Sequence, residues 1–317
     1  MTTPLLLTCP VGVEDLVRGD LRDRDGVRSE LVEPGTIRCT DPVDRERLPA
    51  MVERVSVPLE GDASVVAAAG LIDASTPSFR VQAQDPAVRS DWIARFESLG
   101  WTNNPRDWLL NLDVDAHVVD LGPWHWSRRF GHLQRLPATT PGPVAAGLLR
   151  LAKVHERDTL LDPCAGVGTV PIVDALVRGG PALSVDQDAE ATRLATANVA
   201  KLSLQQRVSI QRADATDLPF EDGSVHRVVS DLPFGKRIGS NELNKTLYPA
   251  ILRDIERVLT ADGRCVLLSD DKRIFTESVA HARGVKIAGE RVIRYNGVTP
   301  TAYIVLRSRR PKKTRSR

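Results

Sequence analysis

Residues 228–240 read VVSDLPFGKRIGS. An apolar run ends in an acid; a proline, an aromatic, a glycine and two bases follow. Asp231 brings a carboxylate acceptor. Pro233 fixes its own φ and biases Leu232 toward extended geometry, which turns the Leu232 carbonyl out of a strand ladder and makes it a second acceptor. Phe234 offers a ring face for stacking, worth about 1–3 kcal/mol against a base, and Gly235 keeps the turn open. Two acceptors beside a ring suit an exocyclic amine on a nucleobase. Such a nitrogen is a poor nucleophile because its lone pair is delocalised into the ring. Accepting hydrogen bonds from both N–H groups returns electron density to it, so the chemistry on offer is attack by an aromatic amine on an activated carbon. A base in a duplex or folded RNA must be flipped out to reach such a slot. Lys236 and Arg237 follow directly and can hold flanking phosphates.

The sequence LLDPCAGVGTV at 160–170 suggests a nucleotide-type site. An apolar run ends at Asp162, and Cys164, Ala165, Gly166 and Gly168 make a turn whose glycines let a ligand approach backbone N–H groups. Alone, this is as much a tight turn as a binding loop. A dinucleotide fingerprint wants a third glycine in the first helical turn; here Thr169-Val170-Pro171 stand instead. S-adenosylmethionine carries no phosphate, so that requirement disappears. Asp186, with Gln187, lies twenty residues beyond Gly166, the place for an acid that takes two ribose hydroxyls. Asp214, with Ala215, ends a third apolar run and can meet an adenine amine. Each acid alone reads as a helix N-cap; all three together read as one ligand crevice at the carboxyl edge of a sheet. Transfer at a sulfonium methyl group is then mostly positioning, because the donor is already activated.

The elements that would position these residues alternate. The pattern predicts a helix over 143–155, strand 159–162, helix 168–180, strand 182–186, helix 189–202, strands 207–214 and 225–231, helix 247–260, strand 263–270, helix 273–283, and two closing strands separated by a short turn. Such alternation implies a parallel sheet covered on both faces. The final hairpin places one antiparallel strand in a seven-stranded, mostly parallel sheet, the layout of a class I methyltransferase. A nicotinamide-binding Rossmann domain is the nearest competitor. Residues 1–120 suggest a small α+β domain: strand, turn and helix from LLLTCPVGVEDLVRGDLRD, strands at IRCT and at 79–84, a helix over 91–101, and one or two strands in DWLLNLDVDAHVVDLG. Residues 121–142 read as a linker, 143–307 as the methyltransferase domain and 308–317 as a basic tail.

The second half resembles the THUMP-associated guanosine-N2 methyltransferases of tRNA. The resemblance spans about 130–307 and is carried by TTPGPVAAGLLRL, DPCAGVGTVPI and, most specifically, DLPFGKRIGS with LYPAILRDIERVLTADGRCVLLSDD. It implies S-adenosylmethionine as donor and a guanosine amino group in a tRNA acceptor stem as target. It carries Asp231, Leu232, Pro233 and Phe234 over as amine holder and stacking platform, and Asp186 as the ribose-binding acid. In the first half, pieces resemble a ferredoxin-like segment plus a degenerate THUMP domain. The same site chemistry leaves open a guanine in ribosomal RNA, an adenine in DNA, a protein glutamine, or an RNA-binding protein that keeps the fold without activity.

Composition bounds the rest. The chain has 317 residues and a net charge of +2. Residues 1–140 hold 15 Arg, no Lys and 21 acids, a balance of −6; residues 141–317 hold 28 bases and 20 acids, a balance of +8. The run RSRRPKKTRSR reads as an electrostatic arm for RNA. Arg128 and Arg129, beside Trp124 and Trp126, are further candidate RNA contacts, against the alternatives of packing and a solvated linker. The four cysteines are far apart, which argues against a disulfide framework or a structural zinc site and fits a reducing cytoplasm. The histidines lack metal-ligand spacing, so no metal is expected. No apolar run reaches the length of a membrane span, and the apolar start lacks the basic region of a signal peptide. An activating protein subunit is not decidable from the sequence.

Overall fold

The computed structural model describes residues 3–233, 241–282 and 284–308. The chain divides into two compact units, Met1–His132 and Leu133–Arg317.

Unit 1 is α+β. Its strands are β1 (Leu5–Thr8), β2 (Ser29–Glu33), β3 (Thr36–Cys39), β4 (Arg54–Pro58), β5 (Ser78–Gln82), β6 (Thr102–Asn103), β7 (Leu110–Asp113) and β8 (Val118–Leu121). They form one sheet in the order β2-β3-β1-β4-β8-β7-β5-β6. Helices α1 (Glu14–Asp25), α2 (Asp62–Leu71), α3 (Pro86–Glu97) and α4 (Trp126–Phe130) complete the unit. Helix α3 starts where local chemistry dictates. The Asp85 carboxylate accepts the Ala87 N–H, and Pro86, which has no N–H to satisfy, takes the first position. Strands β2 and β4 and helix α2 did not stand out in the sequence. Four of the five β2 residues are exposed, so that strand carries no alternation to read.

The first half of the expected linker is folded. Gly122–Trp124 is a 3-10 turn and α4 follows it. Trp124 and Trp126 are buried, and Trp126 Nε1 donates to the Ala50 carbonyl at 3.0 Å. Both rings are packing groups, a correction to the stacking contact considered for them. Arg129 is likewise internal. Its guanidinium donates to the carbonyls of Leu48 (2.7 Å), Pro49 (3.2 Å) and Val52 (3.3 Å). Burial pulls its pKa down to about 10.

Unit 2 runs α5 (Gly142–Ala152), β9 (Leu160–Asp162), α6 (Thr169–Val177), β10 (Ala182–Asp186), α7 (Ala189–Lys201), β11 (Val208–Arg212), β12 (Val225–Asp231), α8 (Asn241–Val258), β13 (Leu259–Ser269), α9 (Lys272–His281), β14 (Val285–Val292) and β15 (Thr301–Arg307). The sheet order is β11-β10-β9-β12-β13-β15-β14. Strands β9 to β13 pair in parallel, and β15 is antiparallel to both β13 and β14. This is the expected class I methyltransferase sheet. Chain order reverses between β9 and β12, the switch point beside which open α/β sheets bind ligands. Helix α8 presses Ile251, Leu252, Ile255 and Val258 onto Val225, Val228, Cys265 and Leu267. That spacing of three and four residues makes one apolar stripe. The helix expected over 247–260 stops at Val258 because Leu259, fully buried, already pairs with Val225 in the sheet.

Replacing Arg129 by Ala takes a donor from three turn carbonyls, of which that of Pro49 still accepts the Val52 N–H at 3.0 Å, and is expected to cost about 1–3 kcal/mol. Urea unfolding of the full chain measures it. An unchanged midpoint with weakened RNA binding would restore the phosphate-contact reading.

Candidate active site

Strands β9 and β12 end side by side, and their last residues are Asp162 and Asp231. The two acids are treated differently. Asp162 is 2% exposed, and its Oδ1 accepts from Ser230 Oγ at 2.6 Å and from the Cys164 N–H at 3.1 Å. Burial raises its pKa to about 8. It braces the start of the glycine loop from below, a different task from the ligand contact expected of it. Cys164 packs against the hydrophobic core, and burial pushes its thiol pKa well up. Ala165, also buried, donates its N–H to the Val185 carbonyl at 2.9 Å.

The loop itself turns on Gly166 and Gly168, at φ 54° and 83°. Gly168 precedes α6, and a Cβ there would stand 3.3 Å from the Ala195 Cβ. Beside Gly166 the space is open: apart from its chain neighbours, no described heavy atom lies within 4 Å of the place a Cβ would take. Asp186, at the end of β10, accepts the Gly166 N–H on Oδ2 at 2.8 Å and the Asp188 N–H on Oδ1 at 2.9 Å. A carboxylate has about four acceptor positions, so each oxygen retains capacity. Gln187 is exposed, and its carbonyl accepts from Arg212 Nε at 2.9 Å. Asp214 is exposed beyond β11; its Oδ1 takes both the N–H and the Oγ1 of Thr216 at 2.8 Å. Ala215 packs against the core.

Asp231 is the other kind of acid. Its Oδ2 accepts from Thr140 Oγ1 at 2.6 Å and lies 3.5 Å from the Tyr295 hydroxyl. Its Oδ1 is buried and has no partner among the described residues. The residue as a whole keeps partial exposure, so the carboxyl sits just below the protein surface. Burial raises its pKa to about 7, with the Thr140 and Tyr295 hydroxyls pulling the other way. Leu232 is buried and donates its N–H to the Leu268 carbonyl at 3.0 Å. No described residue places a donor on the Leu232 carbonyl. The next carbonyl, that of Pro233, is held by the Tyr248 hydroxyl at 2.9 Å, and Tyr248 also bonds Ser269 Oγ at 3.0 Å. The acceptor segment is therefore fastened from β13 and α8. Phe234, Lys236 and Arg237 lie outside the described residues.

Thr140, Tyr295 and Tyr248 were not singled out from the sequence as site residues. Thr140 and Tyr295 stand 91 and 64 residues from Asp231 in the chain, and no local pattern joins them. A signal for Tyr295 existed in the Asn296-Gly297 pair beside it, a strong hairpin-turn marker. In unit 1, Arg128 donates to the Trp108 carbonyl at 2.9 Å and to Asp107 Oδ1 at 3.2 Å. Both bonds are local. Among the described residues no cluster of His, Cys, Asp and Glu could hold a metal ion, and no helix is long and apolar enough to cross a membrane.

The family model described as UPF0020, RMKL-like methyltransferase domain, matches residues 134–300. The human tRNA (guanine(6)-N(2))-methyltransferase THUMP3 is 33% identical over 222 residues, 65% of this chain and 44% of that protein. The tRNA (guanine(6)-N2)-methyltransferase of Archaeoglobus fulgidus is 25% identical over 263 residues, 75% of this chain and 63% of that protein. The chain thus spans less than half the length of the human relative. The crystal structure of TrmN from Thermus thermophilus matches with a TM-score of 0.71 at 22% identity, covering 96% of this chain and 100% of that one. That likeness is one of fold.

Two buried acids with raised pKa values make stability fall with pH. Each binds its proton more tightly in the folded chain than in the unfolded one. Its contribution is therefore full below the ordinary carboxylate pKa near 4 and is lost as pH rises through about 7 for Asp231 and about 8 for Asp162. The melting temperature of the ligand-free protein should decline from pH 5 to pH 8. Asp162→Asn, which mimics the neutral acid, should flatten most of that decline. An equally steep decline in the variant would contradict the assignment.

Proposed function

We propose that this chain, which belongs to the UPF0020 family of RMKL-like methyltransferases, methylates the N2 amine of a guanosine in tRNA. The observation that carries this reading is the buried Oδ1 of Asp231 at the end of β12, which has no partner among the described residues and lies beside the switch point of the sheet. Of the eight buried side-chain polar atoms without a partner among the described residues, it is the one carboxylate oxygen, and it calls for an explanation. A substrate N–H supplies one.

S-adenosylmethionine, when bound, supplies a methyl group already activated by its sulfonium. The residues present fit it. The open space beside Gly166 admits a ligand against the loop backbone. Asp186 already accepts one backbone N–H on each oxygen and keeps a position on each for two neighbouring hydroxyls. Gln187, Asp214 and Ala215 follow the ends of β10 and β11 and complete the proposed holding set, with Cys164, Ala165 and Gly168 shaping the loop.

The chain's own part in the chemistry is to orient the amine and manage its proton. Asp231 Oδ1 and the Leu232 carbonyl each accept one N–H, which localises the nitrogen lone pair toward the incoming carbon. Phe234 is the proposed stacking platform. As the nitrogen gains a bond it must lose a proton. A carboxylate whose pKa stands at about 7 is matched to take that proton near neutral pH. Both groups offered to the amine are acceptors, and each takes one of its two hydrogens. That arrangement suits an exocyclic amine as such; the choice of guanine over adenine or glutamine rests on the relatives.

The tRNA part of the proposal rests on the relatives, two of which are named for guanine(6) of tRNA. That acceptor-stem position is the first to examine. The excess of bases in residues 141–317 suits a polyanion. Lys236, Arg237 and the terminal basic run are the proposed phosphate contacts, and a cytoplasmic site of action belongs to the same proposal.

The test is reconstitution. Purified protein, S-adenosylmethionine and unmodified tRNA should yield N2-methylguanosine by nucleoside mass spectrometry. Asp231→Ala should lower the rate by about 100-fold or more, while the dissociation constant for S-adenosylhomocysteine changes little. Methylated adenine in place of guanosine, or full activity in the variant, would overturn the reading.

A further inference from the structure

The two oxygens of Asp231 have opposite surroundings. Thr140 Oγ1 donates to Oδ2 at 2.6 Å, and the Tyr295 hydroxyl lies 3.5 Å from the same oxygen. Oδ1, on the other side of the same carboxyl, receives no hydrogen bond from any described residue. Both hydroxyls come from outside β12. Thr140 precedes Pro141, which holds φ −64° and ψ 143° and confines the residue before it to extended geometry.

Tyr295 is delivered by a tight turn. Tyr295 and Val298 form an antiparallel bridge, each N–H donating to the other's carbonyl at 3.2 and 2.9 Å. Between them Asn296 and Gly297 both hold positive φ, 46° and 78°. Two successive left-handed residues make a type I′ turn, for which Asn-Gly is the favoured pair. A turn this short fixes the direction of the residue that enters it. The Asn-Gly pair between β14 and β15 thus fixes where Tyr295 stands relative to Asp231.

Resting on the proposed reading of Asp231 as the amine holder, we infer that Tyr295 and Thr140 are positioning residues: they occupy Oδ2, keep the carboxyl ionised and dedicate Oδ1 to the substrate amine. Each hydroxyl has a single hydrogen. Turned toward Oδ2, it leaves no donor facing the amine, so the pair also keeps Oδ1 a pure acceptor for it. Among the described residues, the titratable groups facing Asp231 are Asp162 at the end of β9, Cys164 in the glycine loop, Tyr248 on α8 and Tyr295 itself. Burial and the neighbouring carboxylate push the Tyr295 phenol up, so it stays a neutral donor. Against burial, which favours the protonated acid, the two hydroxyls are what hold its charge.

The experiment is a single-turnover rate of N2-methylguanosine formation on tRNA, measured from about pH 5.5 to 9 for the wild type, Tyr295→Phe, Thr140→Val and Thr140→Ser. Loss of a donor destabilises the ionised form, so the acidic limb of the profile should move to higher pH. We expect a move of roughly 0.5–1 pH unit in Tyr295→Phe and Thr140→Val, giving a several-fold loss near pH 6.5 that shrinks toward pH 9. Thr140→Ser keeps a hydroxyl and should retain the wild-type limb. A uniform drop at every pH, or unmoved limbs in both variants, overturns the inference. Wild-type protein that makes no N2-methylguanosine at any pH overturns the parent reading instead.

Discussion

A carboxylate set into a protein interior is under tension, because burial favours its neutral form while hydrogen bonds to its oxygens favour its charge. Asp231 sits in that balance, with a pKa of about 7, two hydroxyls near one oxygen and no described residue bonded to the other. The proposed chemistry follows from this asymmetry. An acid fully satisfied by its own protein would have no capacity for a substrate. A fully exposed one would be solvated and would lose both its direction and its affinity for a proton near neutral pH.

The rest of unit 2 can be understood as the means of holding that acid. The sheet places β9 and β12 side by side at the switch point, so the acceptor segment and the glycine loop share one edge. Asp162 ties the two strands through Ser230 Oγ and steadies the loop through the Cys164 N–H. Tyr248, fully buried on α8, reaches the Pro233 carbonyl and Ser269 together. The segment after Asp231 is thereby pinned from β13 at Leu232 and from α8 at Pro233. These are bonds to backbone, which fix direction regardless of the side chains around them.

Much of unit 2 was legible because its signals are local. Strands 182–186 and 225–231 fall where the apolar runs and their terminal acids place them, since a buried parallel strand reads as a continuous apolar run ended by a turn. The glycine turn and the strand-end acid Asp186, whose task toward a ligand belongs to the proposal, were legible as elements of the fold. Thr140 and Tyr295 were not, because their relation to Asp231 exists only after the sheet forms. Arginines misled for a related reason: the sequence displays the charge of Arg129 but not the three carbonyls it faces. Trp124 and Trp126 likewise carry no mark that separates a packed ring from an offered one. Asp162 and Asp186 look alike as strand-end acids, yet one is sealed beneath the loop and the other accepts from the loop's own Gly166. In unit 1, β2 escaped because its side chains face solvent and its hydrogen bonding to β3 leaves no trace in composition.

The most direct test of the central claim is a crystal structure of the chain with S-adenosylhomocysteine and a guanosine-containing acceptor-stem oligonucleotide. The account predicts the guanine N2 within about 3.2 Å of Asp231 Oδ1 and of the Leu232 carbonyl, with Oδ2 still held by Thr140. A base bound in the cleft with its amine turned away, and Oδ1 satisfied by some other donor, would contradict it.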